Sequence, residues 1–209
     1  MNGSTTHIID DDPAVRDALQ WLLLSRGVPS QAWETAAGFL PLASRNLCGC
    51  LLLDVRMPGM SGFELFDRLR AMNCKLPVIF LTGHGDVPMA VQALKDGAFD
   101  FIEKPYDDNA LVDKVLAALA HDARRSAREG SALLLRDRLA QLTPREQDVM
   151  QRILAGKLNK VIADELGIAM RTVEVHRSHI FEKMQVRSAV ELSQMLGTLG
   201  GGSEFSPRS

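Results

Sequence analysis

The chain has 209 residues, 46% of them hydrophobic and 24% charged, which supplies enough apolar material for one large or two small globular cores. Its first residues lack the basic and long apolar regions of a secretory signal, and apolar runs such as 21–24 and 51–53 are too short to span a bilayer; no membrane association and a cytoplasmic location are expected. The net charge of −2 divides unevenly: residues 1–120 carry 10 Lys and Arg against 15 Asp and Glu (−5), while residues 121–209 carry 14 against 11 (+3), a balance suited to a back half that meets nucleic acid.

In chain order, residues 7–10 form a short apolar strand running into acidic residues. Val15, Leu19, Leu22 and Leu23 then recur at helical spacing, and Gly27 closes that helix. Residues 49–54 read as a Leu-rich strand that is apolar on both faces, as a central parallel strand must be. Met57-Pro58-Gly59-Met60 is a turn, and Ser61 with Glu64 makes a capping box for a helix carrying Leu65, Phe66 and Leu69. Residues 78–82 and 99–103 are further strands, separated by a helix over 89–96 that Gly97 stops. Asp107 or Asp108 caps a last helix whose apolar face holds Leu111, Val112, Val115 and Leu119. This alternation predicts a doubly wound parallel sheet with helices on both faces, over residues 1–120. Cys48, Cys50 and Cys74 fit no disulfide or zinc spacing and read as small hydrophobes in a reducing compartment.

From 121 to 141 the chain is polar and charged, with some helical periodicity at Leu133, Leu134, Leu135 and Leu139; a partly helical linker is expected. Only helices follow, over 142–197, and the Gly/Ser-containing tail 198–209 is expected to be disordered. Thr143, Pro144 and Glu146 form a strong helix start, followed by an apolar face of Val149, Ile153 and Leu154. Residues 159–166 and 170–184 are helices joined by the turn Gly167-Ile168-Ala169, a helix-turn-helix arrangement. On the longer helix Val173, Ile180 and Met184 share one face. Arg171, Glu174, Val175 and Ser178 lie on another, free to enter a major groove, with His176, Arg177, His179 and Lys183 flanking it within reach of phosphates.

Ligands of an open parallel sheet bind beyond the carboxyl ends of its strands. Those ends carry Asp10-Asp11-Asp12, Asp54 and Thr82-Gly83, and Lys104 follows a fourth. Taken singly, each has an ordinary explanation: an acidic helix-capping turn, or a surface lysine before Pro105. Together they bring carboxylates, a hydroxyl and an ammonium to one rim. Crowded carboxylates call for a hard cation, and Mg²⁺ accepts carboxylate, water and phosphate oxygens. Such a cation keeps Asp54 ionised as a nucleophile, while Lys104 and the Thr82 hydroxyl receive phosphoryl oxygens. The expected product is an aspartyl phosphate.

Asp10-Asp11, Asp54, Thr82 and Lys104-Pro105 resemble the receiver domain of two-component response regulators. The loop from Asp54 to Gly62 matches D-x-R-M-P-x-M-x-G, and the stretches 82–91 and 101–105 resemble the FixJ branch of the NarL/FixJ family. The resemblance implies a five-stranded sheet and phosphoryl transfer from a sensor histidine kinase. It implies Mg²⁺ held directly by Asp11, Asp54 and the Arg56 carbonyl, with Asp10 acting through water and Asp12 left to cap the first helix. Thr82 and Phe101 match the receiver switch pair, although Phe101 also reads as an ordinary core aromatic. Val91 and Lys95 are candidates for a dimerisation face, and Lys104-Pro105 is often cis in such domains.

The stretches 142–146, 159–163, 171–177 and 183–188 resemble the LuxR/FixJ-type DNA-binding domain. Carried over by position, Glu174, Val175 and Ser178 occupy base-reading places; Thr172 and His176 belong to the wider DNA-binding set, and affinity comes from Lys160, Arg171, Arg177, Lys183 and dimerisation. Glu174 suits cytosine N4 and repels phosphate. Ala169-Met170 stands where a capping side chain is usual, a loss of about 1 kcal/mol unless offset. The implied protein is a transcription factor, not an enzyme. Once phosphorylated, it pairs two copies on promoter half-sites about 10 bp apart and works with RNA polymerase. A phosphohydrolase would need an acid two residues after the nucleophile, where Arg56 stands; an adaptor binding protein or RNA is the other alternative.

Overall fold

The computed structural model describes residues 4–83 and 87–197. Internal packing divides the chain into two units, Met1–Ala127 and Arg128–Ser209. In the first, β1 (Thr5–Ile9), β2 (Ser30–Trp33), β3 (Gly49–Asp54), β4 (Val78–Thr82) and β5 (Asp100–Glu103) form one parallel sheet, ordered β2-β1-β3-β4-β5. The two-residue alternation of a strand sends Leu51 and Leu53 of β3 to one face and Cys50 and Leu52 to the other. Over the first face lie α2 (Ala36–Phe39), α3 (Gly62–Ala71) and α4 (Val87–Lys95); Phe39, Leu65, Phe66, Leu69 and Ala93 meet Ile9, Phe80 and Val78 there. Over the second lie α1 (Pro13–Ser25) and the start of α5 (Asp108–Ala140), through Leu19, Leu23, Leu111, Val112 and Val115. Each fully buried leucine of β3 contributes roughly 1.5–3 kcal/mol, so this strand anchors the unit.

Strand order reverses around β1, which lies between β2 and β3. That is the switch point at which a parallel sheet opens a crevice beyond its strand ends. Asp10 follows β1 and Asp54 ends β3, so both carboxylates stand at this crevice. The approach there is close: a Cβ on Gly62, at the start of α3, would lie 2.3 Å from the Asp54 carbonyl oxygen.

Three readings change. β2 was not placed by the residue pattern; its sequence, Ser-Gln-Ala-Trp, is an edge strand with partly covered residues and no continuous apolar run. The helix between β4 and β5 starts earlier than expected, at Val87, and strand β5 starts one residue later, at Asp100. The stretch expected as a partly helical linker is continuous helix as far as Ala140. Its first turns are docked: Asp122 is fully buried, accepts the Gly49 backbone N–H at 2.9 Å and pairs with Arg125. Gly49 has φ +129, and a Cβ on it would lie 1.9 Å from the Thr5 carbonyl oxygen. The expected disorder of 198–209 lies outside the described residues.

The second unit contains α6 (Pro144–Leu154), α7 (Asn159–Leu166), α8 (Met170–Met184) and α9 (Ala189–Gly197). Val149, Ile153, Ile162, Val173, Ile180, Met184 and Leu192 form its core, and Leu135 from the end of α5 joins them. The Thr143/Glu146 capping box starts α6, and Gly167, in the left-handed conformation at φ 62, ends α7. Ala169 precedes α8 with no side-chain cap, as its sequence predicts.

Candidate functional site

Asp54 is 8% exposed at the end of β3, and Asp10 is 1% exposed just beyond β1. Lys104, after β5, spans them: its Nζ donates to Asp54 Oδ1 at 2.6 Å and to Asp10 Oδ2 at 2.9 Å. The other oxygens are aimed by backbone. Asp54 Oδ2 accepts the Arg56 N–H at 2.7 Å, and Asp10 Oδ1 accepts the Asp12 N–H at 3.0 Å. Asp12 caps α1 by accepting from the Ala14 N–H at 2.8 Å, as expected. The Arg16 guanidinium donates to the carbonyls of Asp10 and Asp11, fixing the acidic turn. The Lys104-Pro105 peptide bond is cis, and the Lys104 N–H donates to the Thr82 carbonyl at 2.8 Å.

The pocket is under-satisfied. Burial pushes the Asp54 carboxyl above its ordinary range; the Lys104 hydrogen bond and charge oppose this only in part, and the Asp10 charge adds to it. Lys104 is also penalised by burial, yet the two carboxylates it serves hold its ammonium above the usual lysine range. Thr82, fully buried at the end of β4 beside β3, has a hydroxyl with no hydrogen-bond partner among the described residues. A buried hydroxyl thus lies unpaired near two carboxylates that share one ammonium, and each unmet polar group leaves room for a further partner.

Asp11 is exposed and lines an open cavity of about 550 Å³ with Val55, Arg56, Met57 and Pro58. The donors of this region, Asp10, Asp11, Asp54 and the Arg56 carbonyl, are all oxygen, the set a hard divalent cation takes. Among the described residues no three His, Cys, Asp or Glu side chains already converge on one point. The structure therefore brings Asp10, Asp54 and Lys104 together, with Thr82 beside them and Asp11 on the rim. Phe101 lies on β5, half-buried against the core beneath α3 and α4, and pairs in register with Phe80. Val91 and Lys95 are exposed on α4.

On α8, Arg171, Thr172, Glu174, Val175 and Ser178 are exposed, opposite the buried Val173, Ile180 and Met184. Lys160 is exposed on α7. His176 is half-buried, with Nδ1 unpartnered among the described residues, and the Arg177 guanidinium lies 5.3 Å above the Phe181 ring. Lys183 turns away to Glu146, with Nζ 2.7 Å from Oε2, and His179 Nδ1 lies 3.7 Å from Oε1. The residue pattern alone missed Arg138, which donates to the Met184 carbonyl at 3.1 Å and to Gln185 and so holds the end of α8. It also missed Asp122; the available signal was an acid at helical spacing from Val115 and Ala118, on the buried face.

Residues 6–116 match the family model for the response regulator receiver domain, and residues 140–196 match bacterial regulatory proteins of the luxR family. The chain is 51% identical over 196 residues to the C4-dicarboxylate transport transcriptional regulatory protein DctR of Rhodobacter capsulatus, covering 91% of this chain and 98% of that one. It is 45% identical to the transcriptional regulatory protein FixJ of Azorhizobium caulinodans, covering 90% of each. Among solved structures, the response regulator StyR aligns with a TM-score of 0.85 at 44% identity, over 93% of this chain and 98% of that one. Full-length FixJ from B. japonicum aligns at 0.59 and 40% identity, over 97% and 100%. No helix among the described residues is long and apolar enough to cross a membrane. The chain belongs to the NarL/FixJ family of two-component response regulators, transcription factors that join a receiver domain to a LuxR-type DNA-binding domain.

Proposed function

We propose that Asp54 accepts a phosphoryl group from the phosphohistidine of a cognate sensor kinase, and that the aspartyl phosphate controls promoter binding through α8. The observation that carries this reading is the unmet demand around Asp54: one ammonium shared with Asp10, and the unpartnered Thr82 hydroxyl one strand away. In the transfer, an Asp54 oxygen attacks phosphorus, the donor P–N bond breaks, and the imidazole leaves with its electron pair. Lys104 already faces Asp54 Oδ1 and so meets the phosphoryl charge that replaces the carboxylate charge. Thr82 donates to a second phosphoryl oxygen, and Phe101 turns inward into the space the hydroxyl leaves.

Mg²⁺, held by Asp11, Asp54 and the Arg56 carbonyl with Asp10 acting through water, would offset charge on the incoming group and favour ionised Asp54. The oxygen-only donors fit such an ion, and the raised Asp54 carboxyl gives it something to correct. Receiver function belongs to residues 1–120 and DNA binding to residues 142–197, in the cytoplasm. Phosphorylation pairs two copies through the exposed Val91 and Lys95 of α4, which sets two α8 helices on half-sites about 10 bp apart and lets RNA polymerase be recruited. Glu174, Val175 and Ser178 read bases beside Thr172 and His176, while Lys160, Arg171 and Arg177 meet phosphates. Incubating the protein with a small acyl phosphate and Mg²⁺, then weighing it intact, tests the first step. Wild type should gain one phosphoryl group and Asp54→Asn none; equal gain by both would overturn it.

A further inference from the structure

Lys183 sits on the helix read as entering DNA, yet its geometry points elsewhere. With helical steps of about 100°, it lies about 130° around α8 from the face of Glu174, Val175 and Ser178. It is also nine residues beyond Glu174, or roughly 13 Å along the axis. Its Nζ donates to Glu146 Oε2 at 2.7 Å, and only 32% of the Lys183 side chain is exposed. Glu146, the third residue of α6, is 4% exposed in its side chain. The same Oε2 accepts the Thr143 N–H at 2.8 Å, and the Thr143 hydroxyl receives the Glu146 N–H at 3.3 Å. One carboxylate thus closes the start of α6 and grips α8. Arg138 reinforces the grip from the end of α5 through the Met184 carbonyl.

We infer that Glu146 is a positioning residue for DNA recognition, and that Lys183 serves as its partner rather than as a phosphate contact. Held at its C-terminal end, α8 presents its opposite, N-terminal half, where the exposed Arg171, Glu174 and Val175 stand. Ala169 gives the start of that half no side-chain cap, although its carbonyl accepts the Thr172 N–H at 2.9 Å. A capping box of this kind is usually local to its own helix; here its glutamate also reaches a residue 37 positions away. The inference rests on α8 being the DNA-reading helix.

The test uses full-length wild type, Lys183→Met, Lys183→Arg and the double variant Glu146→Gln/Lys183→Met. Glutamine still closes a capping box, and the double variant leaves net charge unchanged. Thermal unfolding reads the pair without DNA. Lys183→Met should melt earlier, and Lys183→Arg and the double variant should recover. Binding to a 30-base-pair duplex of arbitrary sequence across a salt series reads the phosphate question. A lost phosphate contact lowers the slope of log affinity against log salt by about 0.9. The double variant should keep the wild-type slope. A slope reduced by about one would make Lys183 a phosphate ligand and overturn the inference. A double variant no more stable than Lys183→Met, or one that fails to fold, would also overturn it. Should wild type bind no DNA at all, the reading of α8 fails, while the unfolding series still decides the pairing.

Discussion

Among the described residues, the lysine partners of Asp54 and Glu146 make two carboxylate–lysine contacts that chemistry treats in opposite ways. Asp54 and Lys104 lie 2.6 Å apart in the receiver, and Glu146 and Lys183 lie 2.7 Å apart in the DNA-binding unit. Glu146 receives a backbone N–H as well as the ammonium, and although burial opposes it, these partners hold its carboxyl below the usual glutamate range. Asp54 must share its ammonium with Asp10, sits beside an orphaned hydroxyl, and has a carboxyl held above the usual range. The satisfied pair is a fastening. The unsatisfied pair stores the demand that a phosphoryl group and a cation would meet.

The sharpest way to break this contrast is Asp54→Asn, expected to abolish phosphoryl uptake without lowering the unfolding temperature at pH 7. The sign follows from the raised carboxyl. A folded-state value above the unfolded 3.8 means that ionising Asp54 costs stability, a cost that builds as pH rises from 3.8 and is complete above the folded value, so a neutral amide removes it at pH 7. A variant that melts well below wild type would show the pocket to be a fastening after all. Asp122→Ala should come next, because it leaves the Gly49 N–H buried without its acceptor: a loss of about 1–3 kcal/mol by denaturant unfolding, with an intact Asp54 still accepting phosphate.

Lys183→Met should cost about 1–2 kcal/mol, less than a fully buried pair because part of Lys183 meets water, and recover in the double variant with Glu146→Gln. Acid titration sharpens the difference further. Glu146 contributes stability above its unfolded value of 4.5 and loses it as pH falls through the lower folded value; Glu146→Gln should flatten that limb. The smallest effect belongs to His7. It is 3% exposed between Trp33 and Phe39, accepts from the Trp33 indole N–H at 3.4 Å, and burial holds its imidazole below 6.5. Its contribution is complete above pH 6.5 and shrinks as pH falls toward the folded value. Urea unfolding should show stability from this group falling as pH drops from 7 to 5. His7→Leu should remove that slope.

The same contrast separates what the amino-acid string discloses from what it withholds. β3 was legible because a parallel strand covered on both faces needs an unbroken apolar run, and residues 50–53 supply one. The Ser61/Glu64 and Thr143/Glu146 capping boxes were legible because both partners lie three residues apart. β2 was not, since an edge strand needs no such run. The helix through 121–140 was legible only in part for a different reason: its Ala, Arg and Leu residues favour helix strongly, but its polar start carries no continuous core stripe, so periodicity marks only the stretch from Leu133 to Leu139. Asp10, Asp54, Thr82 and Lys104 could be assigned to strand ends from sequence. That Lys104 bridges the two acids, that Asp122 holds Gly49, and that Lys183 turns to Glu146 are contacts across 50, 73 and 37 positions. Only the folded chain brings such pairs together.

We propose that the unsatisfied carboxylate governs the helix that the satisfied one holds in place. Footprinting on fragmented genomic DNA, with full-length wild type and Asp54→Asn each incubated with a small acyl phosphate and Mg²⁺, tests it most directly. Wild type should show protected sites that strengthen with phosphoryl donor, and those of Asp54→Asn should not respond. Equal, donor-independent protection by both proteins would contradict it.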